Sequence, residues 1–252
     1  MIGPVIYGNQ GREKSLSFLK RKYKMIVLER LGGPDDVIMQ LVSVAEYCST
    51  DWKSTFNIVE NLENGEGYMV GVLGFSTASG EFLELLEYLQ KIDNAHVLLQ
   101  FIPALRKILG GGEKWSVKGL EKLPSVMKKI VGKRNQNLWR ASFRMLMKYY
   151  WYPALVWCNE KGLTSQLSRY VIYDTLVQFK SLEEFEDVKG IDEAVYLEKF
   201  LEKRQLLIEQ DEKLGDIDEN RVEMQMLMVK RKMFDLVTPF SVECYQERFI
   251  IE

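Results

Sequence analysis

Residues 42–80 read VSVAEYCSTDWKSTFNIVENLENGEGYMVGVLGFSTASG and contain two linked features. The first is a largely apolar run that ends in the carboxylate of Glu46. The second begins eighteen residues after Glu46 and is the glycine-rich segment Asn64-Gly65-Glu66-Gly67-Tyr68. Asn-Gly between two apolar runs is the strongest short signal for a β-hairpin. The sequence therefore predicts a carboxylate at a helix end that faces a hairpin.

The helix that carries Glu46 is predicted from the spacing of its apolar residues. Those residues are Val37, Ile38, Leu41, Val42 and Ala45, and they recur with helical periodicity. Asp35 or Asp36 can cap the helix at its N-terminus. Glu46 lies near the other end, where the helix dipole disfavours a negative charge. That position suits a general acid, although many surface glutamates occupy helix ends without any function.

The same segment resembles the active-site segment of chitosanases of glycoside hydrolase family 46. The matching positions, in order and spacing, are Ser43, Ala45-Glu46, Asp51-Trp52-Lys53, Gly65, Gly67-Tyr68, Gly71, Gly74-Phe75 and Gly80. Later matches are Glu81, Leu85-Leu86, Pro103-Ala104-Leu105, Tyr173-Asp174, Tyr196-Leu197, Phe200-Leu201, Arg204 and Arg221-Val222. The resemblance thus extends over about residues 37 to 252, and ordered matches at many positions are more specific than one motif.

The resemblance implies a mainly helical α+β protein with a small β-hairpin or sheet. It implies a two-lobed, lysozyme-like chitosanase fold with a cleft between the lobes. We expect residues 34–252 to form this chitosanase-like domain, with a lobe break near residues 110–112, which are three glycines. Residues 1–33 are expected to form a basic N-terminal helical extension.

Apolar periodicity predicts further helices along the chain. They cover about residues 80–91, 95–109, 118–131, 135–151, 164–180, 192–214 and 219–235. Pro103 is expected to bend or break the second of these. The predicted β-structure is the hairpin of residues 56–62 and 67–75, and the tail from residue 237 to residue 252 is less regular.

The resemblance also implies an inverting hydrolysis by two carboxyl groups. In such a mechanism one acid protonates the leaving oxygen, and a second carboxylate activates water on the opposite face of the sugar. By resemblance Glu46 is the acid, and Asp174 with Arg204 and Arg221 forms a buried network that supports it. Such a network can equally be structural, because buried charges need partners wherever they occur.

The sequence departs from the family pattern at the hairpin. The resemblance places the catalytic base at Asn64, and an amide cannot accept a proton near neutral pH. Losing a general base costs about 10²–10⁴ in rate. Glu66 stands where the family usually has arginine, and Met69 stands where it usually has a water-binding threonine. The sequence therefore predicts a chitosanase-like protein with little or no hydrolase activity and a carbohydrate-binding or structural role.

Two alternatives remain at the same hairpin. Asn64-Gly65 is also simply a favourable turn, and Glu63 or Glu66 offers a rearranged base in an active, inverting chitosanase. The expected ligand is chitosan or a related glucosamine polymer, a polycation that needs acidic contacts. Glu81, Tyr68 and Glu66 are the expected substrate contacts. Trp52 is a second candidate sugar platform, although a tryptophan is more often part of a core.

Composition excludes several other classes of function. The formal net charge is -2, which does not favour nucleic acid as a partner. The sequence has one histidine, His96, and three cysteines without a Cys-x-x-Cys pair, so we predict neither a metal site nor a cofactor. We expect no transmembrane segment and favour a monomer. No export signal is recognisable, although the family is commonly secreted, so localisation stays open.

Residues 1–33 differ in charge from the remainder of the chain. They contain seven basic and two acidic residues, and residues 11–31 show the pattern of a basic amphipathic helix. A third hypothesis therefore has this helix bind an anionic membrane or a protein partner. Basic helices on protein surfaces also commonly pack against their own protein and expose the charged side chains to water, without binding a partner.

Overall fold

The structure is a computed structural model of the 252-residue chain. It describes residues 34–61, 67–112, 116–131, 135–210 and 216–252. The chain divides into two compact units, one formed by Met1–Thr50 with Tyr149–Glu252 and the other by Asp51–Lys148. The predicted basic helix at residues 11–31 lies outside the described residues, as does the predicted turn at Asn64.

The described residues are mostly helical. In chain order the α-helices are α1 (Asp36–Tyr47), α2 (Glu81–Ile92), α3 (Ile102–Gly110), α4 (Leu123–Val131), α5 (Gln136–Leu146), α6 (Tyr152–Lys161), α7 (Gln166–Phe179), α8 (Glu193–Gln210) and α9 (Asp216–Lys230). Shorter 3₁₀ helices cover Trp52–Asn57, Val97–Phe101 and Glu183–Phe185, and Met147–Trp151 is π-helical.

The strands form two small antiparallel sheets. One has the order β1 (Val59–Asn61), β2 (Tyr68–Val70) and β3 (Phe75–Ser76). The other is the hairpin of β4 (Phe240–Cys244) and β5 (Glu247–Ile251). The prediction of a mainly helical α+β fold with small β-elements is confirmed.

Helix α7 is the centre of the first unit. Eleven of its fourteen residues are buried, which is typical of a helix that is covered on all sides. Helices α1, α6, α8 and α9 pack against it. The hydroxyl of Ser165 caps its N-terminus by accepting from the Ser168 N–H at 3.0 Å. Glu193, at the start of α8, accepts from the Thr164 and Ser165 N–H groups at 2.9 and 2.8 Å.

The second unit has an aromatic core beside its three-stranded sheet. Phe56 stacks on Trp139 with 4.5 Å between the ring centroids, and Phe143 meets the ring of Trp52 edge-on at 5.8 Å. Trp52 is 8% exposed. It is therefore a core residue in this structure, which is the more common of the two roles considered for it.

Pro103 lies where the helix predicted over residues 95–109 is broken, which confirms the expectation. It occupies the first turn of α3, where the missing N–H needs no partner and the fixed φ favours a helix start. The preceding residues form the separate 3₁₀ helix Val97–Phe101. Pro153 likewise occupies the first turn of α6. The helix predicted over residues 135–151 is α-helical up to Leu146 and π-helical from Met147 to Trp151, and α6 follows it.

The tail is also more regular than the sequence indicated. Strands β4 and β5 join through Tyr245 and Gln246, whose φ angles are 55° and 61°. Such a two-residue turn is normally signalled by Asn-Gly or Asp-Gly, and neither is present. The three glycines at 110–112 end α3 inside the second unit.

Candidate active site

Glu46 lies in the last turn of α1. The side chain of Asp35 caps this helix by accepting from the Ile38 N–H at 2.9 Å. Cys48 ends it with a left-handed φ of 50°. Apolar residues on several faces of α1 are buried, but 29% of the Glu46 side chain stays accessible. The Glu46 carboxyl group therefore lies at the surface, on a helix whose apolar side chains are anchored in the core.

Arg221 of α9 links Glu46 to a buried carboxylate. Its guanidinium donates a hydrogen bond to Glu46 Oε1, and its Nε lies 3.3 Å from Asp174 Oδ2. Asp174 lies on α7 and is fully buried. Arg204 of α8, also fully buried, donates to the same Oδ2 at 2.9 Å. The structure therefore brings together Glu46, Asp174, Arg204 and Arg221, which the resemblance places in one network.

Two glutamines complete this network, and sequence reasoning missed both. Gln225 donates to Asp174 Oδ2 at 2.7 Å and accepts from Arg204 at 2.9 Å. Gln178 accepts from Arg204 Nε at 2.8 Å. Each lies four residues after a network member, Gln225 after Arg221 and Gln178 after Asp174. Side chains four residues apart share a helix face, so that spacing was the available signal.

The buried charges change the titration of their neighbours. Burial, reinforced by the Asp174 charge, raises the pKa of Tyr170 well above its usual value. Burial and the same charge raise the pKa of Tyr173, with a smaller contribution from Glu46. Burial lowers the pKa of Arg204, and Asp174 opposes that shift. Both tyrosines are consequently neutral at physiological pH.

Tyr245 also reaches the end of α1. Its hydroxyl donates to the carbonyl of Ala45, the residue before Glu46. The β4–β5 turn thus braces the helix segment that carries the carboxyl group. No sequence pattern indicated this contact, because it joins residues 200 positions apart.

The other predicted site residues belong to the second unit or lie outside the described residues. Asn64, Glu63 and Glu66 are in the latter group. Tyr68 is 9% exposed and Glu81 is 4% exposed. Glu81 Oε2 accepts from the Ser76 N–H at 3.2 Å. Neither side chain offers much surface to solvent in this structure.

Met69 packs closely on a neighbouring turn. Gly74 has a φ of 59°, and a Cβ placed there would lie 2.8 Å from the Met69 terminal methyl group. The side chain therefore covers the bare backbone of a glycine. The threonine that the resemblance leads one to expect at this position would supply a hydroxyl group instead.

The described residues contain neither a cluster of side chains that could hold a metal ion nor a membrane-spanning helix. No group of three or more histidine, cysteine, aspartate and glutamate side chains there is arranged to hold a metal ion. None of the described helices combines the length and the apolar character needed to cross a membrane.

Residues 40–240 match Glycosyl hydrolase family 46, and the chain belongs to this family. It is 29% identical over 233 residues to a chitosanase from Nocardioides sp. (strain N106), covering 86% of this chain and 81% of that protein. It is 31% identical over 182 residues to a chitosanase from Bacillus subtilis (strain 168), covering 66% and 64%. A mutant chitosanase from Bacillus subtilis MY002, complexed with 6 GlcN, has a similar structure. That comparison gives a TM-score of 0.75 and 26% identity over 86% of this chain and 97% of the other.

Proposed function

We propose that this protein binds chitosan or a related glucosamine polymer and hydrolyses it weakly or not at all. Asn64 carries the proposal, because it occupies the position where the resemblance places the general base. Family membership supports the ligand class. A structurally similar chitosanase is complexed with 6 GlcN, and two relatives in sequence are chitosanases.

The surroundings of Glu46 support a retained acid position. Arg221 orients one carboxyl oxygen, while part of the side chain stays accessible. Asp174 Oδ2 lies 3.3 Å from Arg221 Nε, and the same oxygen accepts from Arg204 at 2.9 Å and from Gln225 at 2.7 Å. In an inverting reaction Glu46 would protonate the leaving oxygen. A water on the opposite face of the sugar would still lack a group that takes its proton.

The substitutions around Asn64 argue against simple compensation. Glu66 adds a negative charge where the family usually has a positive one. Met69 packs on Gly74 and has no hydroxyl group to hold a water. A missing base alone raises the barrier by roughly 3–5 kcal/mol. Without an anchored water the remaining rate falls further.

Binding relies on different groups from hydrolysis. A glucosamine polymer carries ammonium groups, which acidic side chains attract and hydrogen-bond. We propose Glu66, Glu81 and Tyr68 as contacts, with the exposed part of Glu46 as a further acceptor. This polymer binding does not require Asn64 to act as a base.

A comparison of three proteins on soluble chitosan tests the proposal. The wild type, Asn64→Asp and Glu46→Gln are assayed for new reducing ends, and peptide mass mapping verifies asparagine at position 64. We expect turnover near background for the wild type and a gain of about 10²-fold for Asn64→Asp, the lower end of general-base effects. Robust turnover by a wild type with intact Asn64 contradicts impaired hydrolysis.

The second candidate function is an active chitosanase with a rearranged base. Carboxylates on either side of Asn64 in the sequence, Glu63 and Glu66, favour it. In that case the wild type hydrolyses chitosan, and Glu46→Gln abolishes this activity. Glu63→Gln or Glu66→Gln then abolishes it too, whereas under our proposal neither substitution has any activity to remove.

A further inference from the structure

Helices α8 and α9 enclose a groove on the first unit. Its volume is about 760 Å³, and its apolar lining includes Leu206, Val222, Met226 and Leu227. Leu206 is 54% exposed, which is high for a leucine on a helix whose other apolar residues are largely buried. The groove therefore offers apolar surface that a partner could cover.

The rim of this groove is acidic. Glu202 and Glu223 line it and are exposed, and Lys230 is the cation in its lining. Glu209 is exposed seven residues beyond Glu202 on α8, so it extends the same face. The two arginines of these helices do not offset this charge, because both belong to the buried network around Asp174.

Residues 1–33 have the complementary chemistry. They lie outside residues 40–240, which match the family, and carry seven basic and two acidic residues. At helical spacing Leu19, Tyr23 and Ile26 fall on one face. Lysines occupy positions 20, 22 and 24 between them. An apolar stripe flanked by lysines fits an apolar groove flanked by glutamates.

We propose that residues 11–31 bind along the α8–α9 groove of the same chain as an amphipathic helix. Leu19, Tyr23 and Ile26 cover Leu206 and Met226, and the lysines face Glu202 and Glu223. Gly32 and Gly33 stand between this segment and the first described residue, Pro34. Attachment within one chain gives an effective concentration on the order of millimolar, so individually weak contacts are sufficient.

Amide hydrogen exchange of the full-length chain tests this contact, with residues 16–27 as the readout. Docking protects these amides, and the protection is independent of protein concentration. Leu206→Lys places a cation under the basic segment. It should speed exchange about tenfold, because exchange tracks the population of the released segment. Ile191→Lys is the matched control, since Ile191 is 93% exposed and does not line the groove.

Variants with exchanged charges provide a second test of the same contact by hydrogen exchange. Glu202→Lys with Glu223→Lys should release the segment to a similar extent, and adding Lys20→Glu with Lys24→Glu should restore protection. Unchanged circular dichroism verifies that each variant is folded. Wild-type exchange at the random-coil rate overturns the proposal. Protection that depends on concentration indicates a second copy, and protection seen only with phosphatidylserine vesicles indicates a membrane; either result also overturns it.

Discussion

Arg221 joins two carboxyl groups of the candidate site. It touches an accessible carboxyl group, Glu46, and a buried carboxylate, Asp174, and so connects the surface to the core. A buried carboxylate is stable only with charged or hydrogen-bonding partners. Arg204 and Gln225 supply those partners. The position of Glu46 therefore depends on residues that no ligand needs to touch.

Asp174→Asn tests that dependence. The substitution keeps the volume but leaves two buried guanidinium groups without their shared carboxylate, and breaking a buried pair costs about 3–5 kcal/mol. We expect the urea midpoint of unfolding to fall accordingly. Asp187→Asn is the control, because Asp187 pairs with Lys203 at an exposed position. Equal midpoints for Asp174→Asn and the wild type would show that the network adds no stability.

We expect His96 to make the stability of the protein sensitive to acid. Its Nδ1 accepts from the Leu98 N–H at 3.1 Å, and the Asn135 side chain lies 2.7 Å from Nε2. Burial lowers the pKa of His96 from 6.5, against opposing effects of Asp93 and Asn135. His96 therefore binds a proton less readily in the folded protein than in the unfolded chain. The stability that neutral His96 contributes is present above pH 6.5 and is lost as the pH falls below it.

Denaturant titrations at pH 7 and pH 5 measure this effect. His96→Asn is the informative variant, because asparagine can cap the 3₁₀ helix as His96 does but does not titrate. We expect the wild type to lose more stability than His96→Asn between the two pH values. Parallel losses in the two proteins would assign the acid sensitivity to other groups.

At the scale of elements, the β4–β5 hairpin combines a poor turn with an important contact. Both turn residues have positive φ, which costs an ordinary residue about 1–2 kcal/mol. Tyr245 offsets part of that cost by donating to Ala45. Gln246, the second residue of the turn, is exposed.

Gln246→Gly should therefore stabilise the protein by about 1 kcal/mol, because glycine adopts positive φ without a steric penalty. Thermal and urea unfolding report the change. Glu247→Gly is the matched control on the adjacent residue, which lies in β5, and it should destabilise because glycine in a strand loses conformational entropy. Destabilisation by Gln246→Gly would mean that the turn does not strain its second residue.

At the scale of the whole molecule, charge is distributed unevenly along the chain. Residues 1–33 have an excess of five positive charges, which leaves a formal charge of −7 on residues 34–252. A negatively charged body attracts a polycation over distances set by the salt concentration. This distribution favours the proposed binding of a polycationic polymer.

A glucosamine hexamer should raise the melting temperature of the full-length chain. A ligand at 100 times its Kd stabilises the folded state by about 2.7 kcal/mol. Differential scanning fluorimetry at low and high salt measures the shift, which we expect to shrink as salt screens the ammonium groups. The N-acetylglucosamine hexamer is the uncharged control. Equal shifts with both oligomers, or none with either, would argue against recognition of the amines.

The sequence by itself determined the mainly helical class and the family, and it predicted which charged residues belong to the candidate site. Apolar periodicity reports which helix face is buried, and this signal is local, so α1, α2 and α7 were predicted within a few residues of their observed ends. The resemblance grouped Glu46, Asp174, Arg204 and Arg221, and the structure brings these four residues into contact. The break near Pro103 was predicted, but periodicity did not show that this proline stands in the first turn of a helix.

Only the tertiary structure decided which of these groups touch and which stay accessible. Gln178, Gln225 and Tyr245 joined the site through contacts between helices or between a turn and a helix. The same packing buried Trp52, Tyr68 and Glu81. The physical reason is that hydrogen bonds and burial depend on distances between chain segments remote in sequence, whereas periodicity and spacing describe one segment at a time.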